Sequence, residues 1–139
     1  MTNLTPDEAA VVARQAVGAS AAVKARAWQV VRLDRTGEAY YLVVLGDDRA
    51  AVGVAAIRAD TGEKMTSARL EGARQHLSVD AARALQLAKL GNASVQLVWQ
   101  PCQASLSPLY PFWCVTSATR SVFVDQQERC WDRLSAARA

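Results

Sequence analysis

The chain predicts an α+β fold of two tandem repeats, each a helix followed by an antiparallel sheet in the order α-β-β-β-β, packed together. Three observations predict it. The segment that opens Leu4-Thr5-Pro6-Asp7 and runs to Gly18 returns as Leu77-Ser78-Val79-Asp80 running to Gly91, at a constant offset of 73 residues, which marks a duplicated supersecondary unit. Asp60-Thr61-Gly62-Glu63-Lys64 returns as Asp125-Gln126-Gln127-Glu128-Arg129 at an offset of 65, so the second copy is shorter in its strand region. Between helix and turn, each copy carries short β-branched and aromatic runs separated by hairpin-type turn residues. The repeats are therefore placed at 1–72 and 73–139, and the short link at 71–76 makes one compact domain with a shared core the expectation.

The first helix starts at Thr5-Pro6-Asp7-Glu8. Thr5 can cap, Pro6 sits where a missing N–H costs nothing, and Glu8 closes a capping box. Leu4 can staple onto Ala9, with Val12 and Ala16 along one face, and Gly18 can stop the helix in a left-handed conformation. In the second copy Ser78 is the expected cap, Leu85 stands where Val12 stands in the first, and Gly91 is the expected stop. Both helices are rich in Ala, which lets a helix lie close to a sheet.

Strands are expected at 27–33, 39–45, 51–57 and 64–70, separated by Asp34-Arg35-Thr36-Gly37, Gly46-Asp47-Asp48 and Asp60-Thr61-Gly62-Glu63. Those separators are hairpin chemistry, which implies antiparallel neighbours. The second copy offers 94–100, 112–116, 121–124 and 130–134.

Composition narrows the function classes. With 139 residues, 51% hydrophobic and 21% charged, the chain can bury a core without staples. No run of 18 apolar residues is present, and the start Met1-Thr2-Asn3-Leu4 lacks the basic and apolar parts of a signal peptide, so a cytoplasmic protein with no membrane partner is expected. Cys102, Cys114 and Cys130 are odd in number and confined to the second copy, so reduced thiols are expected rather than a disulfide framework. The 16 basic and 13 acidic residues give a net charge of +3, and they interleave, as in Arg32-Leu33-Asp34-Arg35. No block would neutralise a run of phosphates, and no nucleic-acid partner is expected.

Val54-Ala55-Ala56-Ile57-Arg58-Ala59-Asp60-Thr61-Gly62-Glu63-Lys64-Met65, preceded by a helix and two strands, resembles the PepSY family of cystatin-related domains. The second copy looks like a degenerate version with Gln127 where the glycine would be, so the resemblance covers nearly the whole chain. It implies a helix followed by a cystatin-like antiparallel sheet. It also implies a binding role, inhibitory or regulatory, of the kind linked to the family through peptidase inhibition and ligand or partner binding. The family has no catalytic residues to carry over.

Positions 90–119 contain no charged residue. This run holds Trp99, Tyr110, Phe112 and Trp113, with Pro101, Pro108 and Pro111 in a loop between two strands. One reading is a buried strand pair under a Pro-stiffened loop. The other is an aromatic contact surface, because interface cores lose charge and gain Trp and Tyr; Trp99, Tyr110, Phe112 and Trp113 are then the partner-binding residues for a protein or peptide, or for a second copy in a homodimer.

Other chemistry has little support. His76 is the single histidine, and cysteine spacings of 12 and 16 make no metal-ligand pattern, so no metal is expected. A Cys114-His76-Asp80 arrangement can be drawn, but no feature of the sequence forces those residues together. The acidic pairs Asp60 with Glu63 and Asp125 with Glu128 read as wet turn tips rather than acid/base sets. Seven glycines form no phosphate loop, and no cofactor is expected. The expectation is a non-catalytic, PepSY-like binding module. The alternatives are a secretion-chaperone-like dimer that binds extended segments, and a small cone-sheet enzyme of the ketosteroid-isomerase-like kind.

Overall fold

A computed structural model of the chain describes residues 3–47, 50–70, 76–77 and 79–135. The fold is α+β, with two helices and strands in mixed pairing. The elements in chain order are α1 (Pro6–Val17), β1 (Ala25–Arg32), β2 (Ala39–Gly46), β3 (Ala51–Arg58), β4 (Lys64–Arg69), α2 (Ala81–Ala88), β5 (Ser94–Trp99), β6 (Phe112–Thr116), β7 (Ser121–Val124) and β8 (Cys130–Trp131). Among the described residues no helix is long and apolar enough to cross a membrane. The chain divides into two compact units, Met1–Val30 with Gly37–His76, and Val31–Thr36 with Leu77–Ala139.

In the first unit α1 begins as the sequence dictates. Thr5 Oγ1 accepts from Glu8 N at 3.2 Å while Glu8 Oε1 accepts from Thr5 N at 2.9 Å, a closed capping box that stabilises a helix start by about 1 kcal/mol. Gly18 ends the helix at φ 70°, and Ala19 N donates to Arg14 O at 2.8 Å, so the last carbonyls are satisfied. The buried face is Ala9, Ala10, Ala13 and Val17, with Val12 only partly buried, so the face is turned from the one expected through Val12 and Ala16. Small side chains bring α1 onto the sheet: a Cβ on Gly53 of β3 would meet Val17 Cγ2 at 3.2 Å.

The strand order of this unit is β4-β3-β2-β1, with β2–β3 and β3–β4 antiparallel. Tyr41, Val43, Leu45, Ala55 and Ile57 pack with α1, and Tyr41 Oη donates to Leu4 O at 2.9 Å. The alternate residues Tyr40, Leu42, Val54 and Ala56 are fully buried as well. The interior strands β2 and β3 thus lack the apolar/polar alternation of a half-exposed sheet.

Arg-x-Asp recurs where β1 and β3 end. Arg32 and Arg58 each donate through Nε and Nη2 to both oxygens of Asp34 and Asp60, with contacts of 2.7 to 3.1 Å. The hydrogen bond and charge of Arg58 hold the Asp60 carboxyl below the usual carboxylate range. Burial raises Asp34, but the bond and charge of Arg32 outweigh it and the net shift is also downward. The stability linked to both carboxylates is therefore complete above the ordinary carboxylate range and is lost as pH falls through the lowered folded value.

In the second unit α2 packs on β5, β6 and β7, and the order runs from the end of β1 through β5-β6-β7-β8. Val31 and Arg32 pair with Val98 and Trp99 in parallel, a departure from the all-antiparallel expectation; the remaining pairs of this unit are antiparallel. A parallel pair cannot be closed by a hairpin, and turn residues in the sequence do not report it.

The second helix corrects the repeat-based reading. Its cap is Asp80, whose Oδ1 accepts from Arg83 N at 2.8 Å; Ser78 lies outside the described residues. Its stop is Lys89 at φ 55°, not Gly91. The buried residues are Ala84 and Ala88, with Leu85 half-buried. These positions and Lys89 stand 71 residues after Ala13, Val17 and Gly18, rather than 73. At 8 residues against 12, α2 is one turn shorter than α1. Packing and capping at the C-terminal end set its register, and the sequence echo at the N-terminal end does not.

Lys89 holds a left-handed conformation that costs a side-chain-bearing residue about 1 kcal/mol. Lys89→Gly is expected to stabilise the protein by about 0.5 to 1 kcal/mol, read as a higher urea midpoint with m unchanged. Gln86→Gly, inside α2, serves as the control and should lower stability instead.

Candidate functional site

The charge-free run supplies both core and surface. Trp99 is 4% exposed, Phe112 0% and Trp113 7%, whereas Tyr110 is 45% exposed. Of the four aromatic residues expected as surface anchors, only Tyr110 lies at the surface. Position in the sheet separates them: β5 and β6 are interior strands, and α2 lies on the face that carries Trp113, while Phe112, the preceding residue of β6, points to the opposite face. Phe112 meets Phe123 edge-on at 6.1 Å, and Trp113 Nε1 donates to Val79 O at 2.8 Å in a buried bond. Arg32 lies over the Trp99 ring at 5.1 Å, and Leu33 N donates to Trp99 O at 3.0 Å.

The loop between β5 and β6 divides in the same way. Cys102, Leu109 and Pro111 are buried, while Leu106 is 75% exposed. The loop is held by its own backbone: Cys102 and Ser105 exchange N–H to O bonds of 3.1 Å, and Tyr110 N donates to Ser107 O at 3.0 Å. Ser107 Oγ accepts from Leu109 N at 3.2 Å. Gln103 braces it from outside, donating to Arg133 O at 3.1 Å and accepting from Ser135 N at 2.6 Å. Leu106 and Tyr110 are thereby held at the surface on an ordered frame.

Beneath this loop lies the β7–β8 hairpin. Asp125 N donates to Arg129 O at 3.0 Å and Glu128 N to Asp125 O at 3.2 Å, with Glu128 at φ 64° in the left-handed position. In the β3–β4 hairpin the pair that closes the turn is Arg58 N to Glu63 O at 2.9 Å, and the left-handed residue is Gly62. The second turn is one residue shorter. Asp60 therefore stands at an exposed tip, whereas Asp125 stands at the hairpin mouth and is 3% exposed. The expectation that both are wet turn carboxylates is correct for Asp60 and wrong for Asp125.

A buried carboxylate must be surrounded by donors, and Asp125 is. Oδ1 accepts from Gln127 N and Arg129 N, both at 2.9 Å. Oδ2 accepts from Arg129 Nε at 2.8 Å and Trp131 Nε1 at 3.0 Å. Arg129 also lies over the Trp131 ring at 5.3 Å. Gln126 joins three segments, accepting from Val79 N at 2.8 Å and donating to Pro111 O at 3.4 Å. Between loop and hairpin is a concavity of about 260 Å³ lined by Ser105, Leu106, Tyr110, Asp125, Gln127 and Arg129, among others. Sequence reading missed Leu106, Asp125 and Arg129; the one signal was the missing turn glycine at Gln127, which marks the shorter hairpin.

The remaining candidates are occupied structurally. Asp80 caps α2, and Cys114 Sγ lies 3.4 Å from Thr116 Oγ1. Cys130 Sγ donates to Leu87 O at 3.5 Å; burial and the nearby Asp125 charge push its thiol pKa up, so less thiolate is present at neutral pH. All three cysteines are free thiols. Among the described residues no group of three His, Cys, Asp or Glu is placed to hold a metal ion. In the first unit a second concavity of about 280 Å³ is lined by Val17, Gly18, Val52, Arg69 and Leu70, among others. There Arg69 Nε donates to Val17 O at 3.0 Å, closing the C-terminus of α1.

Trp113→Ala is expected to destabilise the protein by about 4 kcal/mol in urea unfolding, through the cavity and the lost indole bond. Tyr110→Ala should cost under about 1 kcal/mol; equal losses would contradict the division of the aromatic set. Asp125→Ala leaves Trp131 Nε1 and two backbone donors of the hairpin without their acceptor. It is expected to cost about 3 kcal/mol, and a loss below about 0.5 kcal/mol would show that water replaces the carboxylate.

Comparison of the chain with protein-family models, with curated proteins and with solved structures finds no match.

Proposed function

We propose that the chain is a non-catalytic protein- or peptide-binding module of PepSY-like type, inhibitory or regulatory in use, built on two tandem α-β-β-β-β repeats. Its contact face is the 101–111 loop of the second unit with the concavity beneath it. The observation that carries this reading is the exposure of Leu106 and Tyr110 on a loop whose Cys102, Leu109 and Pro111 are buried. A Leu at 75% exposure on an internally bonded loop gains free energy only when something covers it. The size of the concavity agrees: about 260 Å³ is below the range of sites that enclose cofactors or small-molecule substrates and suits one or two side chains of a partner. A second copy of this chain is one such partner, which is the form the homodimer takes on this reading.

The chaperone-like alternative has one observation in its favour. Among the described residues β4 pairs only with β3, so its outer backbone edge can accept an extended segment. Lys64 and Arg69 at its ends are the charges that commonly protect such an edge from pairing. The loop face is therefore preferred.

A peptide-display library panned on the protein tests the assignment. Enriched peptides are expected to lose at least tenfold in affinity for a variant carrying Leu106→Asp with Tyr110→Ser, at unchanged thermal stability. Peptides that bind the double variant as tightly as the parent would place the contact face elsewhere.

A further inference from the structure

We propose that the concavity of the second unit is a carboxylate-recognition site, in which Arg129 takes the acidic side chain of a Glu or Asp within an extended peptide segment. This rests on the binding reading above and adds the chemistry of what is bound. Arg129 lines the concavity with its side chain half exposed. Its Nε is fixed on Asp125 at 2.8 Å and its guanidinium lies 5.3 Å from the centre of the Trp131 ring. Its two Nη nitrogens make no hydrogen bond among the described residues. Two neighbours thus hold the planar fork in one orientation, and the donors left over are the pair that reads a carboxylate side by side.

The occupant follows from charge and size. Asp125 is buried and balances Arg129, so the site has no net charge with which to gather a doubly charged phosphate from a distance. A single carboxylate, recognised at contact by parallel N–H bonds, matches what remains. Leu106 and Tyr110 line the same concavity, so apolar residues beside the acid find cover there. That requirement favours an acid inside a continuing segment over a chain terminus. Glu128 does not compete for Arg129, because its carboxylate is held by Arg83 Nε at 2.7 Å.

The test uses an array of acetylated, C-terminally amidated hexapeptides with Glu or Gln at the third position and Ala, Val, Leu or Phe elsewhere, read by fluorescence anisotropy at low salt. Glu members are expected to bind the parent about tenfold tighter than their Gln twins, the size of a charge-assisted hydrogen bond. Arg129→Gln should bring that ratio to about one and Arg129→Lys should leave it in between. In proton–nitrogen spectra of the parent, the Arg129 Nε–H and Trp131 indole N–H signals should move with Glu peptides and stay still with Gln peptides. Equal binding of Glu and Gln members by the parent, a ratio that survives in Arg129→Gln, or binding only when the C-terminal carboxylate is left free would each overturn the proposal. The parent's own ratio needs no variant to fold. If Glu and Gln members bind equally and both are lost in the Leu106→Asp, Tyr110→Ser variant, the contact face stands and the carboxylate inference falls; if that variant binds both as the parent does, the contact face itself is wrong.

Discussion

The Asp125 carboxylate is the group on which the second unit's surface depends. An ionised carboxylate removed from water must recover its lost solvation from fixed donors, or it destabilises whatever buries it. Here four donors converge on two oxygens, two from the hairpin backbone, one from Arg129 and one from Trp131. Each fixes something else. The backbone pair shapes the turn, the indole orients the short strand β8, and the guanidinium is set facing the concavity. The hairpin, the stacked Arg129 and the floor under the loop are one construction around a single buried charge.

The two hairpins show how little sequence such a change needs. Arg58 and Asp125 occupy the same place at the mouth of their turns, each closing the last pair across the hairpin. In the first, an Arg at the mouth reaches forward to an Asp at the tip, and both remain in water, where screening leaves the pair little to contribute. In the second, the acid is at the mouth and the Arg follows the turn, and the acid is enclosed. With one turn residue fewer, the second hairpin has the opposite order of charges relative to the sheet. Its left-handed residue is Glu128, where the first hairpin has Gly62, and the Glu128 carboxylate is tied to Arg83.

The loop between β5 and β6 uses its lack of charge in two ways. Where it approaches the sheet, Cys102, Leu109 and Pro111 are buried, and any charge there would need its own set of donors. Where it turns outward, Leu106 and Tyr110 remain apolar without being buried. Covering the inner half requires no partner and explains those residues completely. The outer half is what the core does not explain, and the proposed contact face begins there.

The sequence by itself determined the elements that local chemistry controls. The capping box at Thr5 and Glu8, the left-handed stop at Gly18 and the strands over 112–116 and 121–124 appear where residue types place them, because each depends on neighbours a few positions away. Tertiary structure decided what depends on partners distant in sequence. The stop of α2 at Lys89 comes where the helix leaves the sheet beneath it, and the parallel pairing of β1 with β5 joins segments far apart in the chain. Tyr110 and Trp113, neighbours in one uncharged run, are alike to any reading of composition. Only the place of β6 between two other strands separates them into surface and core, since burial is a property of what surrounds a side chain and not of the side chain alone.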